Sequence, residues 1–131
     1  MARIERFEDI EAWKRARQLT KKVYACSKVK GFARDFGLKD QIRRASVSSM
    51  SNIAEGFERG GNQEFIQYLA TAKASSGEVR SQLYVALDEG YITQAQFNDM
   101  YNDATSVSKM VSGFMEYLRK SELRGAKYVK K

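Results

Sequence analysis

Apolar residues recur three and four positions apart over four stretches of this chain, and the stretches are separated at glycines. That period is the helical one, so each stretch predicts an amphipathic α-helix. The first is expected from about Glu8 to Lys28, burying Ile10, Trp13, Ala16, Thr20, Val23 and Ser27, with Leu19 and Tyr24 beside them. Gly31 should end it, because glycine tolerates the left-handed conformation that closes many helices. GFARDFG reads as a connector whose Phe32 and Phe36 cover the end of the core. The second helix is expected from about Leu38 to Arg59, before Gly60-Gly61, and the third from an Asn62 N-cap to Glu89, before Gly90. Thr93-Gln94-Ala95-Gln96 matches a capping box and opens the fourth helix. Its buried face is Phe97, Met100, Tyr101, Ala104, Val107, Val111, Met115 and Leu118. Four helices joined by short turns predict an all-α fold, an antiparallel up-down-up-down four-helix bundle over residues 7–118. Residues 119–131 lose the pattern and read as a flexible basic tail.

Helices two and three carry more apolar residues than one stripe requires. Leu38, Ile42, Ala45, Ser49, Ile53 and Gly56 form the bundle-facing seam of helix two, while Val47, Met50, Ala54 and Phe57 form another. On helix three the first seam is Phe65, Leu69, Ala72, Ser76, Val79 and Leu83; Ile66, Ala70, Lys73, Gly77 and Tyr84 lie about a third of a turn away. A four-helix bundle needs one buried stripe per helix, so the second seams predict a homo-oligomer. Scattered surface apolar residues are the plainer reading of the same positions.

Charge and absences narrow the function. The chain has 131 residues, a formal net charge of +7, one cysteine, no histidine and no proline. Without proline nothing covalent interrupts long helices. Without histidine the commonest general base and metal ligand are missing, and with them every Ser-His or Cys-His nucleophile. Cys26 reads as a small core residue in a reducing, cytoplasmic setting. No segment has the roughly 18 uninterrupted apolar residues of a membrane span, and the charged N-terminus is unlike a signal peptide. Neither a cofactor nor a metal is expected. Inward Glu residues and Glu-x-x-His pairs, which a di-metal bundle needs, are lacking.

Helix two continues into helix three as QIRRASVSSMSNIAEGFERG and EFIQYLATAKASSGEV, after an opening FEDIEAWKRARQLTKKVY. These segments resemble the four-helix bundle proteins encoded in intervening sequences of 23S ribosomal RNA genes. They are also similar to the accessory variability proteins of diversity-generating retroelements. The resemblance implies an antiparallel bundle that assembles as a ring-like homopentamer, and a basic protein that engages nucleic acid. For the retroelement relatives it implies action with a reverse transcriptase and its RNA. Relatives carry a proline in the first connector, where this chain has Gly31-Phe32-Ala33.

Two clusters are candidates for function. Ser46, Ser49, Asn52 and Glu55 resemble an active site at first glance, but no general base accompanies them. They read as a structural polar layer, with Ser75, Ser76 and Glu78 as partners across the bundle. The second cluster is positive. Lys14, Arg17, Lys21 and Lys28 project from one side of helix one with Lys22 beside them, and the tail adds Arg119, Lys120, Arg124, Lys127, Lys130 and Lys131. Such a face suits nucleic-acid phosphates, RNA first, with affinity that falls as salt rises. A non-enzymatic RNA-binding accessory protein is therefore expected; the other reading is a scaffold for protein partners whose charge serves solubility.

Overall fold

A computed structural model describes residues 4–123, and every element in that range is helical. A 3-10 turn at Phe7–Asp9 leads into α1 (Glu11–Ser27), α2 (Lys30–Arg34), α3 (Phe36–Arg59), α4 (Asn62–Asp88) and α5 (Gln94–Leu123). The four long helices form a bundle in which α1 packs on α3 and α5, and α4 packs on the same two.

The joints account for the differences from the expected boundaries. α1 stops at Ser27, not Gly31, and a short helix the pattern did not announce, α2, fills the connector. Asp35 separates α2 from α3: its Oδ1 accepts the Leu38 N–H at 3.1 Å, and its Oδ2 accepts the Tyr91 hydroxyl at 2.9 Å. Phe32 is fully buried and stacks on Tyr91 with ring centroids 5.3 Å apart, as a core cover should. Phe36 does not share that role; it is exposed, under the Lys39 ammonium at 5.0 Å. α3 ends on Gly60 at φ 89°. Asn62 is not the cap of α4 but its first residue, and its amide donates to the Leu118 carbonyl at 3.2 Å. The Thr93–Gln96 capping box forms, with reciprocal bonds of 3.1 and 2.8 Å.

Packing is in two apolar clusters, and the buried serines Ser46, Ser49, Ser76 and Ser108 belong to neither. One cluster holds Phe57, Phe65, Leu69, Val111 and Leu118; the other holds Leu19, Val23, Phe32, Ile42 and Leu83. Burial of each large apolar side chain is worth about 1.5–3 kcal/mol, against about 0–1 for an exposed ion pair, so packing dominates the stability. Cys26 belongs to this core, as expected; burial pushes its thiol up to about 11.

The stripe on α1 is rotated from the expected one. Ala12, Ala16, Leu19, Val23, Cys26 and Ser27 are buried, whereas Trp13 and Thr20 are half-buried at its edge. Where α3 meets α4 the approach is close. A Cβ on Gly56 would stand 2.7 Å from Tyr68 Cβ and 2.8 Å from Phe65 Cδ1.

Residues 119–123, expected in a flexible tail, continue α5. Arg119 and Lys120 are helical, and Ser121 is buried. Arg124, Lys127, Lys130 and Lys131 lie outside the described residues.

Candidate nucleic-acid interface

α1 carries Lys14, Arg15, Arg17, Lys21 and Lys22 with no acid after Glu11, and Lys28 and Lys30 follow it directly. Helical geometry divides these cations between two sides. Lys14, Arg17, Lys21 and Lys28 fall opposite the buried stripe and are exposed, and the axial reach from the first to the last is about 21 Å at ~1.5 Å per residue. Lys14 has the Glu11 carboxylate at 3.2 Å, and the Arg17 guanidinium lies 5.8 Å from the Trp13 ring centroid. Lys21 and Lys28 have no ion-pair partner among the described residues.

Lys22 does not belong with them. Its ammonium sits 2.7 Å from Asp103 and 3.0 Å from Asp99, on α5. Burial alone would lower its pKa, but the hydrogen bonds to Asp103 and Asp99 outweigh that and hold it above its ordinary value. Arg15 approaches the same Asp103, 9 % exposed, at 3.6 Å. These two cations brace α1 against α5 and have little charge left for a ligand. At the far end Arg119 is paired with Glu116 at 3.8 Å, and Lys120 is exposed.

The expected second seams divide as well. Phe57 is buried at 9 %, with its ring 6.1 Å from Phe65, so it is a core residue and not a surface for another copy. Met50 and Ile66 pack half-buried on the same cluster, and Ala54 and Gly77 are also half-buried. Val47, Ala70 and Tyr84 are exposed, but Val47 lies on α3, apart from the other two, which share a face of α4. Val47 shares a groove with Tyr24 of α1, whereas Tyr84, 50 % exposed, touches Phe97 and Tyr101 of α5 at ring distances of 4.9 and 5.8 Å.

The polar cluster behaves as structure. Ser49 donates to the Ser46 carbonyl within α3, and Ser46 to that of Arg43. Thr20 of α1 also donates to the Ser46 carbonyl, at 3.0 Å. The bond from α3 to α4 is one residue from the expected place: Ser48 Oγ meets Ser75 Oγ at 2.9 Å, and the Asn52 amide donates to Ser48 at 2.9 Å. Glu55 instead faces solvent with Arg59 and Tyr68, while Ser76 is buried with no partner for its hydroxyl. Among the described residues no three His, Cys, Asp or Glu side chains could hold a metal ion, and no helix is long and apolar enough to cross a membrane.

Sequence reasoning passed over Arg43 and Arg44. They line an open groove on α3, and the signal was their adjacency at positions off the Ile42–Ile53 stripe.

Comparison with known proteins agrees with this architecture. Residues 8–113 match the family of the 23S rRNA-intervening sequence protein. No curated protein matches the chain. Among solved structures, a protein of unknown function from the S23 ribosomal protein family of Bacteroides thetaiotaomicron VPI-5482 superposes with a TM-score of 0.74. The two share 22 % identity over 80 % of this chain and 98 % of that one, so the likeness is one of fold.

Proposed function

The chain belongs to the 23S rRNA-intervening sequence protein family, and from that premise and its surface charge we propose that it is a non-catalytic, oligomeric RNA-binding accessory protein. The observation that carries this reading is the exposed Arg17–Lys21–Lys28 side of α1, which lies away from the Lys22 side that meets Asp99 and Asp103 of α5. A helix held by its opposite face to a rigid core presents those cations at fixed spacing, which suits a polyanion tracked by its phosphates.

The finer architecture belongs to the proposal. The bundle is antiparallel and up-down-up-down, supported by contacts that pair Gln41 with Gln82 and Ser48 with Ser75 on α3 and α4. On α4 and α5 the corresponding pairs are Asn62 with Leu118 and Tyr84 with Phe97. Five copies assemble through the outer face of α4, where Ala70, Gly77 and Tyr84 leave a low surface beside α5. Five such basic sides in one ring would bind RNA far more tightly than one.

The test pairs two measurements on the intact protein. Mass photometry should show a particle about five times the 14.9 kDa chain, and fluorescence anisotropy should show low-salt binding to unrelated RNA sequences alike. Gly77→Leu should weaken the assembly while leaving its helical content intact. A monomer that binds neither RNA nor DNA at low salt would replace this reading with that of a protein scaffold.

A further inference from the structure

The α3 groove has features that the α1 face lacks. It has a volume of about 610 Å³ and is lined by Tyr24, Arg43, Arg44, Ser48, Ser51 and Asn52, with Val47 and Asp40 on its walls. That volume is in the range of small-ligand sites, about 300–1,000 Å³, and two guanidiniums against one carboxylate make the lining attractive to an anion.

Its polar groups are fixed to different degrees. Arg43 is held in place: its Nε donates to Ser27 Oγ at 2.8 Å, and its Cζ lies 4.4 Å over the Tyr24 ring. Those contacts use one edge and one face of the guanidinium, leaving its terminal nitrogens for a ligand. Arg44 is exposed with no ion-pair partner among the described residues. Guanidinium forks match phosphate oxygens in geometry as well as charge.

Asn52 points to the rest of the ligand. Its Nδ2 donates to the Ser48 carbonyl and to Ser48 Oγ, both at 2.9 Å, so the group it has left to offer is the carbonyl oxygen. An acceptor beside two cations suits a hydroxyl hydrogen and not a second phosphate. Ser51, exposed one position earlier, can accept or donate. Phosphate and hydroxyl together are the chemistry of a ribose-phosphate unit, and the 2′-hydroxyl is what separates RNA from DNA.

We propose that the groove formed by Tyr24, Arg43, Arg44, Ser51 and Asn52 seats one ribonucleotide unit of a single RNA strand, its phosphate on the two arginines and its ribose hydroxyl on Asn52. This deepens the RNA-binding reading and rests on it. The groove runs over the outer face of α3, from Tyr24 of α1 to Ser48 beside Ser75 of α4, whereas Tyr84 marks the other side of α4, against α5. It therefore stays open when copies meet through the α4 face beside α5.

The test is anisotropy of the intact protein with short oligouridylate and with the oligodeoxyuridylate of equal length. The parent should bind the ribose strand more tightly. Arg44→Glu should weaken that binding about tenfold, by loss of a phosphate contact. Lys109→Glu makes the same change in charge at an exposed site on α5 and should weaken it less than about twofold. Arg44→Gln, milder for folding, should follow Arg44→Glu in direction. Equal effects of Arg44→Glu and Lys109→Glu, or equal affinity of the parent for the two strands, would overturn the groove. If a Lys14, Arg17 and Lys21 triple variant loses binding while Arg44→Glu keeps it, the groove is wrong and the α1 reading stands. If the parent binds neither strand, both fall together.

Discussion

Replacing Gly56 by alanine should destabilise the protein although alanine is the better helix former. The favourable part is the intrinsic preference, about 1 kcal/mol in a helix interior. Against it stands the space available. The new Cβ would lie 2.7 Å from Tyr68 Cβ, 2.8 Å from Phe65 Cδ1 and 3.4 Å from Phe65 Cε1, where carbon atoms prefer about 3.5–4.0 Å. Tyr68 Cβ is one bond from its backbone, so rotation cannot move it aside; relief requires α4 to shift by about 1 Å. Phe65 is hemmed in by Phe114, with ring centroids 5.1 Å apart. Overpacking costs about 1–3 kcal/mol. Two contacts below 3.0 Å put this site in the upper half of that range, about 2–3 kcal/mol, so the net expectation is a loss of about 1–2 kcal/mol. Gly113 on α5 is the internal control, since its Cβ would meet nothing within 4 Å. Gly113→Ala should gain about 0.5–1 kcal/mol. Urea unfolding at one fixed protein concentration would measure both, because any self-association would make the apparent stability concentration-dependent. A Gly56→Ala variant as stable as the parent would refute the close packing of α3 on α4.

Two further expectations concern buried groups. Ser108 Oγ is buried without a partner, so Ser108→Ala should be neutral or stabilise by up to about 1 kcal/mol, whereas Ser48→Ala should cost about 1–2 kcal/mol by breaking the bonds to Ser75 and Asn52; paired urea curves decide. The Cys26 thiol is raised from 9.0 to about 11 by burial, so above pH ~9 the unfolded chain loses this proton while the folded one keeps it. Stability should therefore fall between those values, and Cys26→Ala should fall less than the parent when urea midpoints at about pH 8 and about pH 10.5 are compared.

The helices were legible in the sequence because periodicity is a local property, but the rotation of each helix was not. On α1 the bulk of Trp13 drew the expected stripe toward itself. The structure keeps Ala16 inward as expected but turns Ala12 and Leu19 in with it, and rests Trp13 against Phe7 at 5.1 Å. Small residues carry little hydrophobic signal yet allow close approach, so a pattern weighted by size misplaces the face. Phe57 was misread for the related reason that three-four spacing does not separate a flank from an outer side. α2 escaped because GFARDFG is too short to show a period, and its place is set by the non-local Asp35–Tyr91 bond. The candidate interface was half legible. Charge on α1 was visible, but the partners of Lys22 on α5 are some eighty residues away.

The central claim is that the α1 cations bind RNA phosphates, and the salt dependence of affinity measures it most directly. For a single strand, log affinity should fall linearly with log salt at about −0.7 per phosphate engaged. Changing Lys14, Arg17 and Lys21 together to alanine should flatten that slope by about 2 per chain engaged and weaken unrelated RNA sequences alike, without altering particle size. An unchanged slope, with the variant binding as tightly as the parent, would contradict the account.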